Sequence, residues 1–204
     1  MEIVYIDNHI VICIKPAGID SQKKLPELLS NKIAGEIYTV HRLDINVGGI
    51  MVYARDKKTA AHLSRCIQEG TMIKEYLALV HGQPPVQSIW EDLLWKDSKK
   101  NKVYVVKRER KGVRKAKLEF KTLHSGNQSL VHIRLYTGRS HQIRVQFASR
   151  GFPLVGDHKY GSRDKLTSPQ LYSYRLTFPY QGKIMTFEKR PEWAGDNHER
   201  ESNI

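Results

Sequence analysis

Apolar residues occur along the chain in short runs, and most of these runs have the spacing of strands rather than helices. Residues 3–14 form two apolar runs around Asp7 and Asn8, which is typical of two strands joined by a turn. Residues 50–54 are apolar without interruption and predict a strand that is buried on both faces. Residues 74–81 alternate, as in a strand with two distinct faces. The first half of the chain is therefore predicted to be rich in strands.

Two segments have the features of helices. Across residues 57–69 the apolar side chains recur at helical spacing, Asp56 is a suitable N-cap, and Gly70 is a suitable end. A second, shorter helix is predicted to follow the turn residues 137–140 and to end before Gly151. Strands are therefore predicted to outnumber helices.

The remaining strands are predicted from shorter apolar runs. They are a strand that runs into a loop at 37–44, an exposed hairpin at 103–106 and 116–120, a strand at 130–136, and a final hairpin at 171–178 and 184–187. Neither half of the chain has enough apolar residues for a separate core, so we expect one mixed domain over residues 1–191. The polar residues 192–204 are predicted to form a disordered C-terminal tail.

The composition permits a packed core, since 40% of the 204 residues are hydrophobic. The apolar run at residues 10–14 is far shorter than the about 20 residues of a membrane span, and the N-terminus lacks the features of a secretory signal. Cys13 and Cys66 each lie in an apolar pattern with no second thiol nearby, which favours a reducing compartment over a disulfide framework or a zinc site. We therefore expect a soluble, cytoplasmic protein with no membrane contact and no bound metal.

Positive charge is concentrated in one segment of the chain. Between Lys96 and Lys121 there are twelve Lys or Arg residues and three acidic ones, so this segment carries +9 of the total net charge of +13. Such a density of charge favours a polyanionic partner, and nucleic acid is the commonest polyanion. The alternative is a solvated hairpin whose charges only keep it soluble.

Three charged or polar residues lie in otherwise apolar surroundings. Asp44 ends a predicted strand beside Arg42 and before the glycine turn at 46–49, where a carboxylate can be held rigidly and still meet a substrate. Taken alone, however, an aspartate that turns a loop or pairs with Arg42 is the commoner case. Tyr76 on an alternating strand is likewise more typical of a core. Arg144 lies beside the buried stripe of the second helix and needs an anionic partner, for which Asp44 is a candidate.

Five motifs in order along the chain resemble the RluA-type family of pseudouridine synthases. They are Lys15-Pro16-Ala17-Gly18, His41-Arg42-Leu43-Asp44, Lys74-x-Tyr76, Gly138-Arg139-x-His141-Gln142-Ile143-Arg144, and Gly156-Asp157-x-x-Tyr160-Gly161. Each motif is weak alone, but five in order across residues 3–191 are specific. The sequence departs from the family pattern at Val47-Gly48 and at Leu171-Tyr172-Ser173. Many members also carry an N-terminal S4 RNA-binding domain, whereas we expect this chain to select its RNA without one.

The resemblance implies an α+β fold with a mixed, mostly antiparallel sheet flanked by helices and loops. It implies an enzyme that isomerises specific uridines of ribosomal or transfer RNA to pseudouridine, and it implies no cofactor. The residue that matches the reacting carboxylate of the family is Asp44, and Arg144 matches its ion-pair partner. Tyr76 matches the aromatic residue that stacks on the uracil and assists removal of the C5 proton.

The resemblance also places residues at the RNA. Arg42 matches the residue that fills the gap left by the flipped uridine. We predict RNA contacts for His41, Arg42, Arg139, His141 and Gln142, and, from the basic segment, for Lys107, Arg108, Arg110 and Lys111. We expect the protein to act as a monomer. Two other classes remain open at this point: a non-catalytic RNA-binding protein on the same fold, and a nucleosidase, although the sequence shows no second acid to pair with Asp44.

Overall fold

The structure is a computed structural model that describes residues 1–195; residues 196–204 lie outside the described residues. The strands are β1 (Glu2–Ile6), β2 (Ile10–Lys15), β3 (Tyr38–Thr39), β4 (Gly48–Ala54), β5 (Ile73–His81), β6 (Gln87–Asp97), β7 (Lys102–Val106), β8 (Val113–His124), β9 (Gln128–Leu135), β10 (Leu171–Tyr180) and β11 (Lys183–Glu188). The helices are α1 (Lys24–Ile33), α2 (Lys57–Gln68) and α3 (Gln142–Ala148), and short 3-10 turns lie at His158–Tyr160 and Glu192–Ala194.

All of these strands join one mixed sheet. Its order is β1-β2-β4-β10-β5-β9-β8-β6-β7, with β3 beside β4 and β11 beside β10. Every pairing is antiparallel except that of β4 with β10, which is parallel and joins Gly48 and Gly49 to Tyr172 and Ser173. The predicted α+β fold with a mostly antiparallel sheet is therefore confirmed.

The core lies on both faces of the sheet, and β4 shows why. Its residues Met51 and Tyr53 pack on one face with α1 and α3, whereas Ile50 and Val52 pack on the other face with α2. All seven residues of β4 are buried for this reason, as its unbroken apolar run predicts. Helix α2 also begins as predicted, because the Asp56 side chain accepts a hydrogen bond from the Thr59 amide at 2.8 Å.

Two sequence predictions differ from the structure, and one strand was not predicted. The predicted hairpin of residues 103–106 and 116–120 is wrong, because β7 and β8 both pair with β6 and not with each other. Strand β6 was not predicted; its charged residues interrupt the apolar pattern, since much of it faces solvent. The predicted strand at 37–44 is reduced to the two residues of β3, followed by a loop.

Helix α1 was also missed, although Leu25 and Leu29 have helical spacing and are both fully buried. In the predicted tail, residues 192–194 form a 3-10 turn, and residues 196–204 lie outside the described residues. Over residues 1–195, no helix is long and apolar enough to cross a membrane.

Candidate active site

A cleft of about 320 Å³ opens where four parts of the fold meet. Its walls come from the loop before β4, from β5, from the turn between β9 and α3, and from α3 itself. The structure brings most of the predicted site residues to this cleft, namely His41, Arg42, Asp44, Tyr76, Arg139, His141, Gln142 and Arg144. The residues that the sequence selected separately are therefore neighbours in the fold.

The loop that carries Asp44 is anchored from several directions. The Ser21 hydroxyl donates to the Leu43 carbonyl at 2.9 Å, and the Asp44 carbonyl accepts the Val47 amide at 3.0 Å. The buried ammonium of Lys15 donates to the carbonyl of Ile45 at 2.9 Å and to two further carbonyls of its own loop. Burial lowers the pKa of Lys15 to about 8. The first family motif thus fixes the backbone beside Asp44, which keeps that carboxylate rigid.

Arg144 joins two carboxylates. Its Nη1 lies 3.1 Å from Oδ2 of Asp44, as the buried position of Arg144 predicted, while its Nε and Nη2 lie 2.7 and 2.8 Å from the two carboxylate oxygens of Asp157. Burial alone would lower the pKa of Arg144. The hydrogen bonds and negative charges of Asp157 and Asp44 outweigh this effect and raise the pKa. The guanidinium is therefore a fixed cation that orients Asp44.

Asp157 is the second acid that the sequence analysis did not find beside Asp44. It lies in a motif named for the resemblance, but thirteen positions beyond Arg144 and just before a 3-10 turn, where no periodicity marks it. The residue is only 1% exposed, and both of its carboxylate oxygens bind Arg144. Asp157 therefore supports Arg144 and does not form a pair of working acids with Asp44, which argues against a nucleosidase site.

A histidine and a tyrosine complete the surroundings of Asp44. His141 Nε2 lies 3.9 Å from Asp44 Oδ2, and His141 Nδ1 lies 2.9 Å from the Tyr160 hydroxyl. The Tyr160 hydroxyl accepts the Val103 amide, so its own proton is free to bind His141 Nδ1. Burial is the main cause that lowers the pKa of His141 to about 4. The ring is neutral at pH 7, and Arg144 remains the cation bound to Asp44.

Tyr76 projects from β5 into the cleft. The residue is 6% exposed and belongs to the core cluster on the same face of the sheet, so it contacts both the core and the cleft. Burial, followed by the charge of Asp44, raises the pKa of Tyr76 well above its ordinary value. Its ring is a flat apolar surface beside the carboxylate, suited to stacking on a base.

Two predicted RNA contacts lie at the mouth of the cleft. Arg42 is exposed, with Nη2 3.4 Å from the Ser140 hydroxyl, and Arg139 is exposed, with Nε donating to the Lys115 carbonyl at 2.9 Å. Both guanidinium groups therefore border the opening through which a nucleotide would enter.

Two other predicted RNA contacts are engaged inside the protein. His41 Nε2 accepts the Val52 amide at 3.1 Å, and burial is the main cause that lowers the pKa of His41 to about 3. The Gln142 side chain accepts the Thr137 hydroxyl and the Arg139 amide and donates to the Lys117 carbonyl. Both side chains organise the walls of the cleft, and their contact with RNA stays a prediction.

The basic residues selected from the charge pattern lie elsewhere. Residues 107–112 form the loop between β7 and β8, and the four predicted RNA contacts in it, Lys107, Arg108, Arg110 and Lys111, are exposed. The Arg110 guanidinium lies 4.9 Å from the centre of the Trp95 ring. None of the four lines the cleft. We call this loop the basic loop.

Residues 1–195 contain no group of three or more His, Cys, Asp or Glu side chains arranged to hold a metal ion.

Besides the residues predicted for the site, the cleft contains Lys74, which belongs to one of the five motifs but had no predicted role. The only feature of the sequence that could have assigned Lys74 to the site is its position, two residues before Tyr76 and on the same face of a predicted strand.

The chain is similar to proteins of one enzyme family. Residues 9–149 match the family model described as RNA pseudouridylate synthase. The dual-specificity RNA pseudouridine synthases RluA of Salmonella typhi and Escherichia coli strain K12 are 31% and 30% identical, with 91% of this chain and 91% of each relative covered. The structure of human RNA pseudouridylate synthase domain containing 1, at 22% identity, matches with a TM-score of 0.81 over 93% of this chain and 83% of that one. This last likeness shows the fold.

Proposed function

Because the chain belongs to the RluA-type family of RNA pseudouridine synthases and is an isomerase, we propose that it converts specific uridines of ribosomal or transfer RNA to pseudouridine with Asp44 as the reacting carboxylate. The observation that carries this proposal is the Asp44–Arg144 ion pair of 3.1 Å in a cleft beside an aromatic ring. A carboxylate can react at C1′ directly, without a second side chain acting as a base to activate it.

The reaction breaks the bond between C1′ of the ribose and N1 of the uracil, turns the base, and joins C1′ to C5. Asp44 acts at C1′, either by bonding to it or by stabilising its positive charge. Arg144 binds Oδ2 of Asp44, whereas Oδ1 has no hydrogen bond within residues 1–195. Oδ1 is therefore the oxygen that we expect to face C1′, and Arg144 holds the carboxylate in that orientation.

A uridine reaches this cleft only if it leaves its stack. The exposed guanidinium of Arg42 at the mouth supports a role in filling the vacancy, which offsets the few kcal/mol that extrusion costs. Tyr76 is placed to stack on the extruded base. Two of the relatives are named dual-specificity RNA pseudouridine synthases, which supports action on more than one target.

The test of the function is a turnover assay on RNA labelled in uridine. Pseudouridine without free uracil is the expected product; free uracil would indicate a nucleosidase, and bound but unchanged RNA would indicate a non-catalytic binding protein. Mapping the pseudouridines that are missing from ribosomal and transfer RNA of a deletion strain identifies the targets. Loss from neither class of RNA would contradict the proposed substrates.

Substitution of Tyr76 tests the stacking and the hydroxyl separately. Tyr76→Phe is expected to keep the affinity for RNA, whereas Tyr76→Leu is expected to weaken it by about 1–3 kcal/mol, because the base no longer stacks on an aromatic ring. Turnover at saturating RNA is expected to fall about 10²-fold or more in both variants, since both lack the hydroxyl that assists removal of the C5 proton. Binding titrations and single-turnover rates measure the two effects. Full activity of Tyr76→Phe would show that the role of Tyr76 is limited to packing and stacking.

The basic loop is expected to bind the phosphate backbone of the RNA without taking part in the reaction. Changing its four cations to Gln should flatten the salt dependence of RNA binding. For each phosphate that the variant no longer binds, the slope of log affinity against log salt should fall by about 0.7–0.9. Turnover at saturating RNA should stay within a few-fold of the parent, because the loop does not line the cleft.

The matched control removes four exposed lysines that lie away from the basic loop: Lys23, Lys24, Lys57 and Lys58. This variant loses the same charge as the loop variant. If the basic loop itself binds phosphates, the slope of log affinity against log salt should change less in the control than in the loop variant. Equal slopes in both variants would show that only the net charge matters. A collapse of the saturated rate in the loop variant would show that the loop also shapes the active site.

A further inference from the structure

Lys74 places an ammonium group in the cleft that the mechanism above does not use. It precedes Tyr76 by two positions on β5, so both side chains lie on the same face of the strand. Lys74 lines the cleft together with Tyr76 and Asp44 and is partly buried. Among the hydrogen bonds and ion pairs of residues 1–195, none involves its Nζ. Burial lowers the pKa of Lys74, as expected for a cation that gives up water without gaining an anion.

Gly138 leaves the space that this ammonium occupies. The backbone of Gly138 does not have the positive φ that favours glycine. A Cβ at this position would nevertheless lie 3.3 Å from Lys74 Nζ, closer than ordinary van der Waals contact. The glycine in the turn after β9 therefore lets the ammonium occupy this position without displacement, and a larger residue would crowd it.

The charged groups in and behind the cleft differ in whether they are paired. Asp44, which lines the cleft, and Asp157 behind it share the cation Arg144. Lys74 has no carboxylate partner within residues 1–195, and its neighbour His41 is neutral, with its pKa lowered by burial first and by the charge of Lys74 second. Arg42 and Arg139 lie at the mouth of the cleft, and Arg144 is already bound to two carboxylates, so a negative charge that develops inside the cleft would meet Lys74.

We propose that Lys74 is a further catalytic residue, whose ammonium contacts the uracil and stabilises the negative charge that the base carries once it has left the ribose. When the C1′–N1 bond breaks, its electron pair stays with the uracil, and the charge spreads over N1 and the two carbonyl oxygens. Lys74 keeps its proton and donates a hydrogen bond to one of these oxygens. When C1′ joins C5, the electron pair forms the new bond and the negative charge disappears. The C5 proton then leaves to solvent with the assistance of Tyr76, and N1 takes up one proton, which gives neutral pseudouridine. This inference rests on the proposed function, because it requires a uridine beside Tyr76.

The experiment compares two RNAs that differ only in the leaving base. Fluorine withdraws electrons, so 5-fluorouracil carries a negative charge more easily than uracil and depends less on Lys74. In single-turnover measurements on uridine RNA, Lys74→Met is expected to lose about 10²–10³-fold in rate, as for removal of one donor to a developing anion. On 5-fluorouridine RNA the loss is expected to be at least tenfold smaller, measured as consumption of 5-fluorouridine. Lys74→Arg keeps the charge and is expected to recover part of the rate.

Gly138→Ala provides a second variant that leaves the ammonium in place but crowds it. We expect a smaller loss of rate on uridine RNA, and no further loss when this change is combined with Lys74→Met, because both changes act on one interaction. The melting temperature of Lys74→Met is expected to be unchanged or higher, since a partly buried cation without an anion is removed. A role in packing alone would lower it.

Three results would overturn the proposal: an unchanged rate of Lys74→Met, equal losses on the two RNAs, or a loss confined to RNA affinity, which would indicate a phosphate contact. Failure of the proposed function is a different result. It would show as no pseudouridine from the parent protein, or as an active Asp44→Asn variant, whatever the behaviour of Lys74.

Discussion

Replacement of Asp44 by Asn is expected to abolish pseudouridine formation while the fold and the affinity for RNA stay nearly unchanged. The two side chains have the same shape, and only the charge that we propose to react is removed, so the rate is expected to fall by about 10⁴-fold or more. The structure explains why the fold should tolerate the change: Arg144 keeps both hydrogen bonds to Asp157 and is not left without a counter-ion. Single-turnover rates, binding titrations and melting temperatures test the three statements.

The matched control is Asp157→Asn, the same chemical change on the other side of the same guanidinium. Asp157 is only 1% exposed and does not line the cleft, so this variant is expected to lose more stability and less activity than Asp44→Asn. Measurable turnover by Asp44→Asn would remove Asp44 from its proposed role. A control as inactive as Asp44→Asn at unchanged stability would show that the ion pair works as a unit.

Replacement of Arg144 by Ala is expected to destabilise the protein strongly. Removing one partner of a buried ion pair costs about 3–5 kcal/mol, because the other charge remains buried without compensation. Here the truncation leaves two carboxylates, Asp44 and Asp157, with exposed side-chain fractions of 17% and 1%. The free energy of unfolding in urea measures the loss, and pseudouridine formation is expected to disappear with it.

Arg150 offers a comparison within the same chain. It binds Asp92 through two hydrogen bonds of 2.9 and 3.1 Å, but its side chain is 29% exposed, against 9% for Arg144. Arg150→Ala is therefore expected to lose less stability than Arg144→Ala, since it leaves one carboxylate rather than two, and the Gln146 side chain still donates a hydrogen bond to Asp92. An unfolding midpoint of Arg144→Ala equal to that of the parent would contradict the account of a buried, charge-compensating arginine.

The sequence predicted those parts of the fold in which one pattern dominates. Strand β4 was recognisable because all of its residues are buried, and α2 because a capping Asp precedes a helical period. Strand β6 was missed because its place in the sheet depends on pairing with β7 and β8, and not on an apolar run. Pairing between distant segments leaves no local signal, so the predicted hairpin joined the wrong strands.

The sequence also predicted only part of the candidate site. A buried arginine needs an anion, which made Asp44 a candidate partner of Arg144, and the family resemblance implied the same pair across 100 positions of sequence. The argument could not show that Asp157 shares the arginine, because one anionic partner already satisfies the requirement of a buried cation. Nor could residue types distinguish the exposed Arg42 from the partly buried His41 one position earlier, since the place of the His41 ring is set by β4 and its Val52 amide.

The position of β10 in the sheet has a consequence for the order in which the protein forms. Strand β10 lies between β4 and β5 in the sheet, although its residues 171–180 follow both strands far along the chain. The segment that carries Asp44 and the strand that carries Tyr76 are therefore joined through a strand that emerges about a hundred residues later. Contacts between such distant segments carry a large loop-closure entropy and form slowly. Catalytic competence therefore requires that β10 has paired with both strands, because neither Asp44 nor Tyr76 reaches the common cleft by pairing of neighbouring segments alone.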